Sequence, residues 1–207
     1  VSSSIKDEHG ALRNNLFDLI NFTNLFNGRL IYASSGSVYS NKISEKSNET
    51  FSTLIPKNVY DYTKIAFDNY VGATNKKAIS LRFGTVNGFS HRMRKELIIN
   101  SMVISSINKG YLNANNTKNF RAILFIDDLV RGVIEIIKSD VVEGIYNMAS
   151  FNARIGDIAK SVSNKLDSKI EYLPNTTTYN FMLDTNKFEK DFNFNFTNDI
   201  EKIIENI

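Results

Sequence analysis

The sequence of 207 residues contains no cysteine and no tryptophan, and it has only two prolines and two histidines. The absence of cysteine excludes disulfides, thiolate catalysis and cysteine metal ligands. With His9 and His91 as the only histidines, we expect no metal site. No apolar run approaches the roughly 18 residues that a membrane span needs, so no membrane segment is expected. No leader-like segment favours secretion, and we expect a cytoplasmic protein.

The residues that are present have an ordinary globular composition, with 42% apolar and 23% charged residues. The net charge of +3 comes from 25 basic and 22 acidic residues that are well mixed along the chain. This balance argues against a dedicated nucleic-acid-binding protein. The length suits one sizeable domain, or a domain with a small lobe.

Hydrophobic periodicity predicts strands and helices in alternation. Strands are predicted at residues 29–34, 78–83, 121–126 and 144–149. Helices are predicted at residues 10–25, 58–74, 96–108, 128–138, 155–166, 185–191 and 198–206. Asp127 is a candidate cap for the helix 128–138, and residues 40–57 are predicted to form a polar loop. This alternation indicates an α/β fold with a mostly parallel sheet.

The carboxyl ends of parallel strands are where ligands bind in such folds. Ser34 and Ser35 stand at the end of the first predicted strand, and Tyr60 and Lys64 are one turn apart on the next helix. A lysine ammonium beside a phenol is expected to lower the phenol pKa from about 10, which favours a general base that acts on an alcohol. A serine hydroxyl can hold the same alcohol. Oxidation of the alcohol needs a hydride acceptor, which implies a nicotinamide cofactor.

A simpler interpretation exists for each of these residues. A Tyr-x-x-x-Lys pattern occurs often by chance, and the serines could merely end a strand. Tyr62 competes with Tyr60, but its spacing from Lys64 points it to another part of the helix surface. The combination of strand-end serines with the next helix favours the catalytic interpretation.

Seven segments together resemble the extended short-chain dehydrogenase/reductase family, specifically its NAD-dependent sugar-nucleotide epimerases and dehydratases. They are RNNLFDLINF (13–22), YASSGSVY (32–39), Pro56-x-x-x-Tyr60-x-x-x-Lys64, LRFGTVNGFSHRMR (81–94), FRAILFIDDLVRGV (120–133), EGIYNMAS (143–150) and LDTNKFEKDFNF (183–194). The resemblance implies the C-terminal portion of a Rossmann-like doubly wound parallel sheet with a small C-terminal substrate-binding lobe. Residues 1–90 would form a partial NAD-binding domain, residues 118–150 would return to its sheet, and residues 91–117 and 151–207 would form the lobe.

The resemblance also implies roles for individual residues. Tyr60 would be the catalytic base and acid, Lys64 would assist it and bind the nicotinamide ribose, and Ser35 would orient the sugar hydroxyl. The remaining implied contacts are Asn14 or Asn15, Ser34 and Phe83 for NAD or NADP, and Thr85, Arg94 and Arg121 for the nucleotide sugar. Arg92 and Arg94 are equally compatible with a solvated basic face.

Several departures from the family pattern narrow the expected chemistry. Ser35-Gly36-Ser37 stands where dehydratases carry Thr-Asp-Glu, so no carboxylate is expected there and 4,6-dehydration is disfavoured. The segment NTTTYNF (175–181) has threonines where many relatives keep an arginine, which is expected to weaken the diphosphate site.

The largest departure is the lack of the family's Gly-x-x-Gly-x-x-Gly segment, which binds the cofactor pyrophosphate. Val1 matches a point near the end of the family's fourth strand, so about 80 residues of the usual βαβαβ half are expected to be missing. We therefore expect weak NAD binding by this chain and an unpaired sheet edge.

The leading hypothesis is an NAD-dependent epimerase that oxidises and re-reduces C4 of a nucleotide sugar. The alternatives are a nucleotide-sugar reductase or decarboxylase with the same triad, and a non-catalytic remnant or accessory subunit. The resemblance further implies a homodimer that pairs through the helix of Tyr60 and the helix before the serine strand.

Overall fold

The computed structural model describes residues 7–40, 45–74 and 76–207. Within them, the main sheet consists of three parallel strands, β1 (Leu30–Ser35), β3 (Ala78–Phe83) and β7 (Gly144–Met148), in the order β1-β3-β7. Ser35 lies opposite Phe83, and Phe83 lies opposite Met148, so the three carboxyl ends meet at one edge. The predicted strands and the α/β class are confirmed.

Helices cover both faces of this sheet. The first predicted helix consists of α1 (Glu8–Leu12), a π-helical turn (Arg13–Phe17) and α2 (Asp18–Leu25). With α3 (Val59–Ala73), it buries Leu16, Phe67 and Val71 against Tyr32 of β1. On the other side, α5 (Ile126–Lys138) and α7 (Asn186–Asp191) pack with the sheet around Ile79, Leu81, Ile136 and Phe188.

A second region carries three smaller sheets. β4 (Thr85–Asn87), β6 (Phe120–Phe125) and β8 (Phe151–Arg154) form one in that order, with β6 and β8 antiparallel. The parallel pairs are β5 (Tyr111–Ala114) with β9 (Lys169–Tyr172), and β2 (Lys46–Ser47) with β10 (Met182–Leu183). The helices α4 (Ile98–Lys109), α6 (Ile155–Leu166) and α8 (Ile200–Asn206) share one core with β5 and β6.

Gly84 separates the main sheet from the second region. A Cβ atom at this position would lie 2.8 Å from the carbonyl oxygen of Ala122, so only glycine allows the two backbones to come so close. The chain therefore leaves the main sheet after Phe83 and pairs again through Thr85 with Ile123 of β6.

Three details differ from the sequence predictions. Within residues 118–150 only β7 joins the main sheet, because β6 pairs with β4 and β8. α5 begins at Ile126 after Phe125, so the capping role predicted for Asp127 is wrong, and Asp127 lies in the first turn. The predicted helix 96–108 begins at Ile98. The domain boundaries remain a prediction.

The prediction about Val1 lies wholly outside the described residues. The predicted loop 40–57 lies partly outside them, because residues 41–44 are not described. In the described ranges, the loop contains β2 and follows a 3-10 helix (Gly36–Tyr39). Within the same ranges, every helix is too short or too polar to cross a lipid bilayer.

Candidate active site

The serine segment sits where β1 ends. Ser35 precedes the 3-10 helix, and its Oγ accepts a hydrogen bond from the backbone N–H of Ser37 at 3.3 Å. The two hydroxyl oxygens of Ser35 and Ser37 are 2.9 Å apart. Ser34, next to them, donates to Asp68 Oδ2 and is buried. The strand end thus presents two linked hydroxyls at the edge of the main sheet.

Tyr60 and Lys64 reach the same edge from α3. Asn58 caps this helix by accepting from the N–H of Asp61 at 3.0 Å, which fixes the first turn where Tyr60 lies. One turn later, Lys64 Nζ donates to the carbonyl oxygen of Ala33 at 2.9 Å. The ammonium is 5.6 Å from the centroid of the Tyr60 ring. The fold therefore brings the predicted serine, tyrosine and lysine together.

The electrostatics of Tyr60 differ from the expectation. Burial of the phenol raises the pKa of Tyr60, a hydrogen bond with Ser35 lowers it, the charge of Asp61 raises it and the charge of Arg94 lowers it, and burial has the largest effect. Burial also lowers the pKa of Lys64, and the charge of Asp68 opposes that shift. The predicted lowering of the phenol pKa by Lys64 is therefore wrong for this structure, because desolvation of the phenol dominates.

A cleft of about 840 Å³ lies beside these groups and is formed by residues of the main sheet and the second region. Eight of the predicted site residues line it: Ser34, Ser35, Tyr60, Lys64, Phe83, Thr85, Arg94 and Arg121. Asn14 and Asn15 lie in the π-helical turn and are not among the lining residues. Tyr62, the competitor of Tyr60, is 50% exposed and also lies outside the cleft, as its spacing predicted.

Arg121 is the most unusual charge in the cleft. Its guanidinium donates to Thr178 Oγ1 and to the carbonyl oxygen of Phe120, which are both neutral acceptors. Burial lowers the pKa of Arg121 to about 10. Among the ion pairs of the described residues, none involves Arg121. A desolvated cation that lacks a carboxylate partner is suited to bind an anion.

The other two predicted substrate residues are less distinctive. Arg94 has a side chain that is 55% exposed and pairs with Glu96 at 2.7 Å, so its charge is shared and solvated. Thr85 is half-buried at the start of β4, opposite Ile123. Its backbone carbonyl accepts from Asn87, and Thr85 is one of the residues that line the cleft.

The sequence interpretation missed a buried carboxylate behind the serines. Asp61 is fully buried, and its Oδ1 accepts from Ser37 Oγ at 2.6 Å. Tyr179, which lines the cleft, donates to the same carboxylate at 3.2 Å. Burial raises the pKa of Asp61. The available signal was Asn58-x-x-Asp61, a pattern related to the capping box that brings an acidic side chain back over a helix start.

A family model agrees with this geometry. The model of the NAD dependent epimerase/dehydratase family matches residues 3–149. That range includes the serine segment, the whole of α3 and the strands of the main sheet.

Solved structures of similar fold cover nearly the whole chain at low identity. The ADP-L-glycero-D-manno-heptose-6-epimerase of Helicobacter pylori is 19% identical with a TM-score of 0.78, over 92% of this chain and 63% of its own. The dTDP-glucose 4,6-dehydratase of Bacillus anthracis, in complex with NAD, is 16% identical with a TM-score of 0.79, over 93% and 67%. The UDP-N-acetylglucosamine 4-epimerase of Methanobrevibacter ruminantium, in complex with UDP-N-acetylmuramic acid, is 18% identical with a TM-score of 0.83, over 100% and 70%. The present chain thus spans about two thirds of the length of these proteins.

Proposed function

Because the chain belongs to the NAD dependent epimerase/dehydratase family, we propose that it contributes the catalytic half of a nucleotide-sugar epimerase. The reaction is oxidation and re-reduction at C4 of the sugar. The single observation that carries the proposal is Arg121, a half-buried cation without a carboxylate partner among the described residues, in the same cleft as Ser35, Tyr60 and Lys64.

The three residues at the end of β1 have complementary roles in this proposal. Tyr60 takes the proton of the sugar hydroxyl when the carbinol is oxidised and returns it on reduction. The Ser35 hydroxyl holds the oxygen that Tyr60 acts on. Lys64 adds positive charge beside the phenol ring, at 5.6 Å from its centroid. Burial raises the pKa of Tyr60, and the Ser35 hydrogen bond and the charge of Arg94 oppose that shift and so favour the phenolate.

The site suits the nicotinamide end of NAD or NADP. The bound cofactor supplies the hydride acceptor that side chains lack. One of the three N–H donors of Lys64 is used by Ala33, so two remain for ribose hydroxyls. Ser34 and Phe83 line the same part of the sheet edge. The 207 residues contain no Gly-x-x-Gly-x-x-Gly segment, so we propose that this chain binds the cofactor weakly by itself.

Arg121 is the proposed partner of the substrate diphosphate. Its fork of N–H donors matches phosphate oxygens, and two neutral acceptors already orient it. Thr85 lies in the same cleft and can add a hydroxyl donor. Arg94 is proposed to assist from the exposed rim, where its charge is shared with Glu96.

Epimerisation is favoured over 4,6-dehydration by the serine segment. Dehydration needs an additional acid and base that reach the sugar. Asp61 is fully buried behind Ser37 and does not line the cleft, so it does not reach the sugar. Glu96 lines the cleft, but its carboxylate is exposed and is paired with Arg94 at 2.7 Å, so we assign it no part in the reaction.

The finer expectations on assembly and location are also proposals. We propose a homodimer that pairs through α3 and the helix before β1, where Phe17, Phe22 and Leu25 are exposed apolar residues. We propose a cytoplasmic location, because activated sugars and nicotinamide cofactors are metabolites of that compartment.

Calorimetric titration with UDP-glucose and UDP-N-acetylglucosamine tests the proposed substrate class. Arg121→Met is expected to weaken binding at least tenfold, since a charge-assisted hydrogen bond contributes about 1.5–3 kcal/mol and about 1.4 kcal/mol corresponds to a factor of ten. Arg92→Met is the matched control, because Arg92 is exposed and outside the cleft lining. Equal affinities of the wild type and both variants, or no binding of either sugar nucleotide, would contradict the proposal.

A further inference from the structure

Residues 88–97, between β4 and α4, form a loop at the rim of the cleft. This rim loop consists of turns and bends, and its residues Arg94 and Glu96 line the cleft. Arg92, Arg94 and Lys95 are exposed basic residues within it. A loop without strand or helix keeps one conformation only if contacts from outside hold its backbone.

One buried side chain holds two distant points of the rim loop. Asn100 lies in the first turn of α4 and is 1% exposed. Its Oδ1 accepts from the backbone N–H of Gly88 at 3.0 Å, and its Nδ2 donates to the backbone carbonyl of Arg94 at 3.1 Å. The amide group offers an acceptor and a donor side by side, so a single residue connects both points.

The rim loop also starts from a fixed base. Gly88 has a φ of +117°, and a Cβ atom there would lie 2.8 Å from Ile126 Cγ2, so the position requires glycine. Asn87, the residue before it, accepts from the N–H of Ile99 at 3.0 Å and donates to the carbonyl of Thr85 at 2.7 Å. The end of β4 and the first turn of α4 are therefore held together from both sides.

The residue at the far end of this connection brings charge to the cleft. The side chain of Arg94 is 55% exposed, whereas its carbonyl accepts from Asn100 and from the N–H of Leu97 at 3.2 Å. The charge of Arg94 lowers the pKa of Tyr60, so the guanidinium acts within the same cleft as the phenol. An exposed charge binds an anion more tightly when less of its chain has to be ordered on binding.

We propose that Asn100 is a positioning residue that fixes the rim loop and thereby holds Arg94 at the cleft for an anionic ligand. With the proposed function as its premise, this anion is the diphosphate of the sugar nucleotide. Asn100 is not among the described residues that line the cleft, so its effect on the ligand passes through the rim loop.

The first test is a double-mutant cycle on the binding of UDP-glucose, measured by calorimetry. Arg94→Met is expected to weaken binding about two- to fivefold, the scale of an exposed charge. Asn100→Ala is expected to weaken it by a similar factor, because Arg94 loses its fixed position. The double variant should bind no more weakly than the weaker single variant, since both changes remove the same contact.

The second test needs no ligand. Trypsin cleaves after Arg92, Arg94 and Lys95, and cleavage of a folded protein reports how often the rim loop opens. Asn100→Ala is expected to accelerate cleavage at these sites at least about tenfold relative to the rest of the chain, because two hydrogen bonds to the loop are lost. Mass spectrometry of the fragments identifies the sites.

Asn147→Ala is the matched control for both tests. Asn147 is as buried as Asn100 and donates to the carbonyls of Ser47 and Asp184, outside the cleft lining. This variant should change neither the affinity for UDP-glucose nor the relative cleavage of the rim loop.

Three results would overturn the proposal. They are unchanged cleavage of the rim loop in folded Asn100→Ala, unchanged affinity in that variant, and a loss in the double variant equal to the product of the two single losses. If Asn100→Ala does not fold, Asn100→Asp replaces it at pH 8, because a carboxylate still accepts from Gly88 but cannot donate to Arg94.

The failure of the proposed function has a different signature. It would appear as the absence of UDP-glucose binding by the wild type, and trypsin cleavage would then still decide whether Asn100 fixes the rim loop.

Discussion

Helix α3 carries two buried carboxylates, two turns apart, and they are held in different ways. Asp68 accepts from Tyr32, Ser80 and Arg82, and the distance to Arg82 Nε is 2.9 Å in a buried ion pair. Asp61 accepts from neutral groups, and in the described residues it has no cationic partner within ion-pair distance.

The difference lies in the charge of the partners. The charge of Asp68 is neutralised by Arg82, which also donates to Tyr39, so this network ties α3 to β1 and β3. Asp61 has no ion-pair partner among the described residues, and it accepts from Ser37, whose hydroxyl oxygen is 2.9 Å from that of Ser35 in the cleft. Two buried aspartates on one helix therefore differ in the kind of partner that holds them.

The largest effect on stability is expected from Asp68→Asn. This change leaves the Arg82 guanidinium buried without its partner, which costs about 3–5 kcal/mol of the free energy of unfolding. Urea denaturation followed by circular dichroism measures it, provided that the slope of the transition is unchanged. A loss below that of Asp61→Asn would contradict the structural assignment of Asp68.

A smaller effect is expected from Asp61→Asn, the same chemical change on the same helix. No buried cation is left behind, so the loss is that of hydrogen bonds to a charged acceptor, about 1–2 kcal/mol in the same denaturation experiment. A loss as large as that of Asp68→Asn would show that Asp61 is primarily structural, and the comparison would fail.

Much of the fold could be predicted from the sequence, because the periodicity of long segments is a local property. The helix 155–166 and the strands of the main sheet match closely. The strands β5 and β9 were missed, since Tyr111–Ala114 and Lys169–Tyr172 are short and acquire strand structure only by pairing with each other. The π-helical turn within the first helix also has no local sequence signature.

The candidate site could be predicted where its residues are close together in the sequence, and it could not where residues that are distant in the sequence meet in the fold. The positions of Tyr60 and Lys64 follow from spacing on one helix, and Arg121 was found through the resemblance. The contact between Ser37 and Asp61 joins a strand end to a helix start, so it depends on tertiary packing. The raised pKa of Tyr60 likewise depends on burial, which spacing does not report.

Turnover by Tyr60→Phe tests the central claim most directly. The protein is incubated with NAD and each of the two UDP-sugars, and NMR of the sugar follows the appearance of the C4 epimer. Tyr62→Phe is the matched control, because that phenol is exposed and outside the cleft. We predict that Tyr60→Phe lowers turnover by at least about 100-fold, the scale of general acid–base catalysis, while Tyr62→Phe leaves it unchanged. Equal turnover by Tyr60→Phe and the wild type, at an NAD concentration that overcomes the weak cofactor binding, would contradict the account.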